Sequence, residues 1–253
     1  MAKSNLLVFR VSIDDHIFAL KIFRFYDHHD VISCDIVALN AVMPQVIINQ
    51  LDPFYSECRA YGRLEETDNK HLAVQCYGYV FLDQATEAHL AERYYDRWHR
   101  TRATKGRPLR AIVKEYIDSN DREPFTPKMF PQMRRDVVAL NSLGIVVWDL
   151  RADNYCAGRI IDFSQARTVP HMELDFSLKD VYSHWTQVQC CLNDYFAFDE
   201  IIDDWNDDHP NRVYYGPRFF PNRRFGFRLR NKSRYYGRKF GLEDIKVVAT
   251  YYD

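Results

Sequence analysis

Three polar side chains suited to catalysis follow two short apolar runs near the middle of the chain. Asp149 and Asn154 stand five residues apart in a polar loop, and Asp162 ends the next apolar run. A carboxylate can act as a general base, while a second carboxylate and an amide oxygen can bind a cation. The cation could be a metal ion or an arginyl guanidinium, which bonds carboxylates bidentately. Alternatively, these side chains only brace the loop.

The first half of the chain carries the patterns of a sheet with helices. Residues 6–13 and 16–23 alternate like two strands joined at Asp14-Asp15. Asp52-Pro53 predicts the start of a helix over about 53–65, with Asp as N-cap and Pro in the first turn. The other predicted features are a loosely patterned insertion at 27–50, strand 71–82, amphipathic helix 86–102 and strand 109–117.

The second half is more helical. Pro131 opens a predicted helix with one apolar stripe, made of Met133, Val137 and Leu140, and Gly144 is placed to cap its C-terminus. A strand–loop–strand segment over 147–164 follows, then an acidic helical stretch over 175–206. The predicted fold class is α+β with two lobes, an N-lobe over 1–117 and a C-lobe over 118–253.

An aromatic and basic arm covers residues 211–240. It contains ten Arg or Lys and no Asp or Glu, although the whole chain has a net charge of −1. The arm either folds back onto the acidic body or binds RNA, with cations on phosphates and aromatic rings on unpaired bases. The candidate RNA contacts are Arg218, Arg223, Arg224, Arg228, Arg230, Lys232, Arg234, Arg238 and Lys239.

Other patterns argue against several classes of protein. No apolar run approaches the ~18 residues of a membrane span, and the N-terminus lacks a signal-peptide layout. The six cysteines and nine histidines show no metal-binding spacing. We therefore expect a cytoplasmic protein with free thiols and no metal, membrane or DNA partner.

The order of the candidate residues resembles that of protein kinases. Lys21, Glu57, a hinge strand over 112–117, the loop 149–154 and Asp162 follow one another as in that class. The segments DPFYSECRAYGRL, RAIVKEYI and IIDFSQARTVPH resemble a fungal kinase-like family labelled after a kinetochore subunit of the Fta-two type. The chain is also similar to fungal arginine-containing cyclodipeptide synthases, short proteins of secondary metabolism that use aminoacyl-tRNA.

The chain departs from the kinase pattern in its nucleotide site. No glycine precedes Gly62, so the Gly-rich loop that covers ATP phosphates is missing. Val147 replaces the His of the His-Arg-Asp motif, and Ser164 replaces the Gly of Asp-Phe-Gly. Lys114 stands where an apolar side chain is usual, so its charge must be paired or solvated. The resemblance implies a reduced protein-kinase-like fold lacking the Gly-rich loop, with weak or no ATP use.

The first functional hypothesis is an aminoacyl-tRNA-dependent transferase that makes an arginine-containing cyclic dipeptide without ATP or another cofactor. Arginyl-tRNA and a second aminoacyl-tRNA would be the partners, and Asp149 would be the base. Cys156 is either an acyl acceptor or a core residue; Lys21 and Glu57 form an ion pair with or without a functional role. The predicted catalytic residues are Asp149, Asn154, Asp162, Cys156 and Lys21, and the predicted substrate contacts are Glu57, Lys114, Glu115 and Ser164.

Two alternatives remain. A kinase-like phosphotransferase would use Mg-ATP, with Lys21, Asp149, Asn154 and Asp162 in their kinase roles. A catalytically silent scaffold of kinetochore type would be nuclear and would bind a stable protein partner. The sequence leaves the second amino acid and the oligomeric state open.

Overall fold

The computed structural model describes residues 6–26, 44–94, 97–118, 125–156, 158–177 and 182–221. The chain divides into two compact units. Unit 1 is Met1–Arg122 together with Asp162–Gln165, and unit 2 is Glu123–Ile161 together with Ala166–Asp253. Asp162, the third of the central polar residues, therefore belongs to unit 1, whereas Asp149 and Asn154 belong to unit 2.

Unit 1 is built on an antiparallel sheet of four strands. These are β1 (Leu6–Ile13), β2 (His16–Phe23), β3 (Cys76–Leu82) and β4 (Leu109–Glu115). Their order across the sheet is β1-β2-β4-β3, which places β3 at an edge.

The β1–β2 hairpin matches the prediction residue for residue. Asp14 and Asp15 both have positive φ angles, 47° and 61°. Such a two-residue turn has the twist of the strands that flank it, and Asp tolerates the left-handed conformation better than most residues. The tip of the hairpin therefore carries two carboxylates and no glycine.

Each face of the sheet contributes to a separate apolar cluster. On one face Ile22 and Ala111 pack with Trp98. On the other face Phe23 and Ile112 pack with Phe54, which comes from a helix. Strand residues alternate between faces, so the neighbours of these apolar residues in β2 and β4 determine what else the helix covers.

Three helices of unit 1 are described. They are α1 (Pro44–Leu51), α2 (Pro53–Glu66) and α3 (Gln84–Tyr94). The Asp52 carboxylate accepts the Phe54 N–H at 3.0 Å, as an N-cap does. This confirms the predicted start of α2. The insertion predicted at 27–50 contains α1, and its first part lies outside the described residues.

Three predicted elements were too long. The strand predicted over 71–82 begins only at Cys76, because Lys70–Leu72 forms a 3₁₀ turn after α2. The helix predicted over 86–102 ends at Tyr94. Trp98 and His99 have positive φ angles, which a right-handed helix cannot contain. Strand β4 ends at Glu115 rather than at residue 117.

Unit 2 has two long helices and short strand pairs. Helix α4 is Phe130–Ser142 and α5 is His184–Asp208. Strand β5 (Ile145–Val146) pairs with β8 (Arg167–Thr168), and β6 (Tyr155–Cys156) forms a hairpin with β7 (Arg159–Ile160). These strands hold the polar loop that contains Asp149.

The helices of unit 2 follow the predicted pattern with one shift. Met133, Val137 and Leu140 are fully buried, and Gly144 takes a φ of 73° at the end of α4. Helix α5 starts nine residues later than predicted, because the Ser183 side chain caps it by accepting the Thr186 N–H. None of the described helices combines the length and the apolar character needed to cross a membrane.

Asp52 supports unit 1 in two ways, which predicts a large loss on its removal. Besides capping α2, its carboxylate accepts a hydrogen bond from the buried Arg110 guanidinium at 2.7 Å. We expect Asp52→Ala to lower the free energy of unfolding by about 3–5 kcal/mol, because a buried cation loses its counter-charge. Urea denaturation measures this change.

Asp83 offers a matched control. It accepts the Thr86 N–H at the start of α3 at 2.7 Å but lies at the surface. Asp83→Ala should cost only about 0.5–2 kcal/mol, the usual value of an N-cap. Equal losses for the two variants would contradict a structural role for the Asp52–Arg110 pair.

Candidate functional site

Four charged side chains of unit 1 are linked by three ion pairs. The Lys21 ammonium donates to Glu57 Oε2 at 2.6 Å and to Asp162 Oδ1 at 2.8 Å. The Lys114 ammonium donates to Glu57 Oε1 at 2.7 Å. Glu57 thus bridges two lysines, and Lys21 bridges two carboxylates. We call these four residues the charge cluster.

The register of the sheet explains why these residues meet. Lys21 lies opposite Ile112, and Lys114 comes two residues after Ile112 in β4, so both lysines share the face that α2 covers. On α2, Glu57 follows Phe54 by one turn, so the carboxylate projects from the buried side of the helix. The long lysine side chains then reach it from the sheet.

The charge cluster is almost sealed from water. The side chains of Lys21, Glu57 and Lys114 are 2%, 0% and 7% exposed, while Asp162 is 24% exposed. Burying an isolated charge is very costly, and even a buried pair must recover its lost hydration through good geometry. Two cations and two anions, joined by three ion pairs, make the formal charge of the cluster zero. The requirement that Lys114 be paired or solvated is met by pairing.

The pKa values differ because the two lysines have different neighbours. Burial lowers the pKa of Lys21, but Glu57 and Asp162 outweigh burial and leave that pKa above 10.5. Burial lowers the pKa of Lys114 below its ordinary value, and the nearby charge of Lys21 acts in the same direction, although Glu57 raises it. Burial raises the pKa of Asp162, but both lysines bring it down to about 2.

These pKa shifts define the pH range in which the cluster stabilises the fold. The lowered pKa of Asp162 gives a contribution present above pH 3.8 and lost as the pH falls through about 2. The raised pKa of Lys21 gives a contribution present below pH 10.5 and lost as the pH rises through the higher folded-state pKa. The Lys21–Asp162 contact is therefore intact across the physiological range.

The residues predicted to contact a substrate already have partners within the protein. Both oxygens of Glu57 accept lysine hydrogen bonds, as described above. Glu115 accepts the Gln75 N–H at 3.1 Å, and Ser164 is buried with its N–H donated to Asp162 Oδ1 at 2.7 Å. Their roles as substrate contacts remain a prediction.

Unit 2 brings together two of the three central polar residues. The Asn154 side-chain amide donates to the Asp149 carbonyl at 3.0 Å and lies 3.4 Å from its carboxylate. Arg151 Nε lies 3.2 Å from Asp149 Oδ1. The Asp149 side chain is 45% exposed, so its pairing with Arg151 is a surface contact of small energy. The Asn154 side chain thus braces the loop, and the functional roles of Asp149 and Asn154 stay predictions.

A buried aspartate that the sequence analysis missed holds the start of this loop. Asp194, on α5, accepts the Val147 N–H at 2.6 Å and the Trp148 N–H at 2.9 Å. Asn193 donates to the Trp148 carbonyl at 2.8 Å. Trp148 has a φ of 69°, a costly conformation for a bulky residue, and these three hydrogen bonds hold it there.

Burial is the largest influence on the pKa of Asp194. It raises the pKa of this carboxyl to about 6, although the two backbone N–H donors act in the opposite direction. The available signal in the sequence was an acidic residue within the largely apolar stretch Cys190-Cys191-Leu192-Asn193-Asp194-Tyr195. A charge in such a stretch indicates a buried polar contact, but its partner lies 47 residues away.

The remaining predicted site residues are placed as follows. Cys156 is buried in β6, opposite Arg159 in the short hairpin. Arg218 donates to Asp203 at 2.6 Å, and the N–H groups of Phe219 and Phe220 donate to the Asp199 carboxylate. The first part of the basic arm thus packs back on α5. Arg223, Arg224, Arg228, Arg230, Lys232, Arg234, Arg238 and Lys239 lie outside the described residues.

The carboxylates of the charge cluster pair with lysines of the protein. Within the described ranges, no three His, Cys, Asp or Glu side chains are grouped so that they could hold a metal ion. Asp162, the predicted ligand, bonds to Lys21.

A family model matches residues 2–167, about two thirds of the chain. The family is described as kinetochore Sim4 complex subunit FTA2. The matched region contains the whole charge cluster as well as Asp149 and Asn154, and it ends before α5. The chain belongs to this family.

No curated protein matches the chain. The family match confirms the resemblance to the Fta-two type. The kinase-like relationship and the similarity to cyclodipeptide synthases stay predictions.

The charge balance of the cluster predicts a specific rescue. Glu57→Gln leaves two buried lysines with one carboxylate and should lower the free energy of unfolding by about 3–5 kcal/mol. Adding Lys114→Met removes the lysine whose only carboxylate partner in the cluster was Glu57. We expect the double variant to recover at least about 1 kcal/mol relative to Glu57→Gln. Urea denaturation of the four proteins of this cycle gives the coupling energy.

An additive cycle, in which Lys114→Met lowers stability equally with and without Glu57, would contradict the cluster. Lys70→Met is the control, because Lys70 pairs with Glu65 at the surface. Its effect should be within about 1 kcal/mol and should not depend on Glu57.

Removing Asp194 should release the loop that contains Asp149. Asp194→Ala leaves two buried N–H groups without an acceptor, at a cost of about 1–3 kcal/mol each. Hydrogen exchange should show loss of protection at the Val147 and Trp148 amides. Asp199→Ala is the matched control, since it affects the Phe219 and Phe220 amides instead. Unchanged protection at Val147 and Trp148 would disprove the assignment.

Proposed function

We propose that this chain is a protein-binding subunit of a kinetochore complex and has no phosphotransfer activity. Membership of the kinetochore Sim4 complex subunit FTA2 family is the observation that carries the proposal. A subunit of such a complex acts through stable protein contacts and would be found in the nucleus. The alternative of a silent scaffold is thus favoured over the predicted cyclodipeptide synthase.

The charge cluster supports a structural role for unit 1. In a phosphotransferase of the kinase class, the lysine on the sheet contacts ATP phosphates and the second aspartate binds the metal. Here Lys21 and Asp162 bond to each other at 2.8 Å. Lys114 adds a second cation to Glu57, so the cluster is neutral without a ligand. Inserting a phosphate would require breaking ion pairs that are mostly shielded from water.

The β1–β2 hairpin supports the same conclusion. In kinases a Gly-rich loop covers the phosphates with backbone N–H groups. This hairpin instead ends in a tight turn at Asp14 and Asp15. Two carboxylates repel phosphate, whose charge has the same sign.

The cyclodipeptide synthase prediction has gained no support. It depends on acidic side chains that can accept an arginyl guanidinium, yet the oxygens of Glu57 bind two lysines and Glu115 binds the Gln75 N–H. Arg218, the one predicted RNA contact among the described residues, pairs with Asp203.

Affinity purification of the tagged full chain from its native host tests the proposal. Cross-linking mass spectrometry should identify kinetochore proteins as stoichiometric partners, and a fluorescent fusion should form nuclear foci. Recovery of aminoacyl-tRNA synthetases and tRNA, with the fusion in the cytoplasm, would favour the synthase instead.

Asp149→Asn separates a scaffold from both enzymes. Asp149 is the predicted base in each catalytic hypothesis, yet its side chain is 45% exposed. We expect this variant to retain partner binding and to unfold within about 0.5 kcal/mol of the wild type, as surface substitutions usually do.

The wild-type protein should also show no thermal shift with Mg-ATP and no cyclic dipeptide in a tRNA-charging reaction analysed by mass spectrometry. A Mg-ATP shift, or an RNase-sensitive product that Asp149→Asn abolishes, would overturn the proposal.

A further inference from the structure

We propose that the free edge of β3, with the groove between β3 and α2, binds an extended apolar segment of a partner protein as an added strand. This inference rests on the proposed function in one respect, since it assumes a protein partner. It names the surface and the chemistry of the segment that the surface accepts.

The first observation is the position of β3 in the sheet. It is the last strand in the order β1-β2-β4-β3, and among the described residues it pairs only with β4. Every second residue of such an edge strand directs its N–H and C=O away from the sheet. An extended segment satisfies these groups through backbone hydrogen bonds, as in other cases of β-strand addition.

The second observation is a short row of exposed aromatic side chains on the same strand. Tyr79 and Phe81 are 62% and 54% exposed, whereas Tyr77, at the β-bulge between Cys76 and Gly78, packs on Phe18 of β2. Tyr79 and Phe81 lie on one face with their rings 5.5 Å apart, and Tyr79 packs on Phe54 of α2 at 6.0 Å. Exposed apolar side chains are normally scattered singly over a protein surface. A group of them at one edge of a sheet therefore indicates an interaction surface.

The third observation is a groove of about 310 Å³ beside this row. Gly62 and Ile112 line it together with Tyr61 and Tyr79. Gly62 lies inside helix α2, where glycine destabilises a helix relative to alanine. A Cβ added at Gly62 would meet no atom within 4 Å, so packing within unit 1 does not require glycine there. The missing side chain leaves room for a side chain of the bound segment.

The charges around the groove define its occupant. Glu65 and Lys70, which line it, pair with each other at 2.6 Å. The other lining residues that the structure describes are uncharged, including three tyrosines and two cysteines. A groove without net charge is complementary to an uncharged side chain. The expected segment therefore has apolar residues at alternate positions, one of which enters the groove above Gly62.

Selection from a displayed library of random peptides on the purified full chain tests this inference. We expect enriched sequences with alternating apolar residues, and we expect binding of a labelled enriched peptide in fluorescence polarisation. Gly62→Leu should weaken binding about tenfold or more by filling the groove. Its thermal midpoint should not fall, because leucine is the better helix former. Gly62→Ala should weaken binding less.

Two further variants locate the surface. Tyr79→Ala should weaken binding, whereas Val8→Ala should not, although Val8 on β1 at the other edge is also 58% exposed. Failure to enrich any peptide, or equal binding by wild type and Gly62→Leu, would overturn the inference. A wild-type dimer that Gly62→Leu dissociates would also overturn it, since a second copy would then be the occupant. Peptide binding without kinetochore partners in the native host would refute the proposed function alone.

Discussion

A lysine ammonium cannot be buried without an anion beside it, and unit 1 buries two of them. Lys21 and Lys114 project from neighbouring strands onto the face that α2 covers, where an apolar layer would otherwise form. Glu57 is the anion that both lysines contact, at 2.6 and 2.7 Å. Glu57 therefore holds α2 on the sheet, together with the Asp52–Arg110 ion pair and the packing of Phe54. Asp162 supplies the second negative charge through its ion pair with Lys21. The short segment Asp162–Gln165 belongs to unit 1.

A second buried charge has a similar role in unit 2. Asp194 on α5 fixes two peptide groups before Asp149, and one of them belongs to Trp148 in a left-handed conformation. In both units a carboxylate on a helix binds polar groups from elsewhere in its unit. Glu57 binds the two lysine ammonium groups, and Asp194 binds two backbone N–H groups. These contacts stabilise polar groups that resemble a catalytic site in sequence.

The parts of the fold that could be predicted from the sequence depend on local signals. The β1–β2 hairpin has a strict alternation around a two-residue turn, and the Asp52 cap marks the start of α2. The resemblance to kinases predicted that Lys21 and Glu57 form an ion pair. By contrast, the second partner of Glu57 is 57 residues away, and its identity depends on the register between β2 and β4. The Asp194 contacts were missed because the two backbone N–H groups that donate to Asp194 lie 47 and 46 residues away in the sequence.

Among the predicted site residues, Asp162 has partners that the order of residues in the sequence could not identify. Asp162 was assigned to a metal or a guanidinium substrate, but two lysines of the protein supply the positive charge that this carboxylate needs. Sequence order showed which acidic residues stand near apolar strands. It did not show which cations face them across a sheet.

The carboxyl pKa of Asp162, measured by ¹³C NMR titration of the full chain, tests the central claim most directly. Asp162→Asn would assign the resonance. If Asp162 pairs with Lys21 as described, its carboxyl titrates at about 2, because Lys21 and Lys114 favour the charged carboxylate. Titration near the ordinary value of 3.8 would show that these lysines do not neutralise Asp162 and would contradict the account of unit 1 given above.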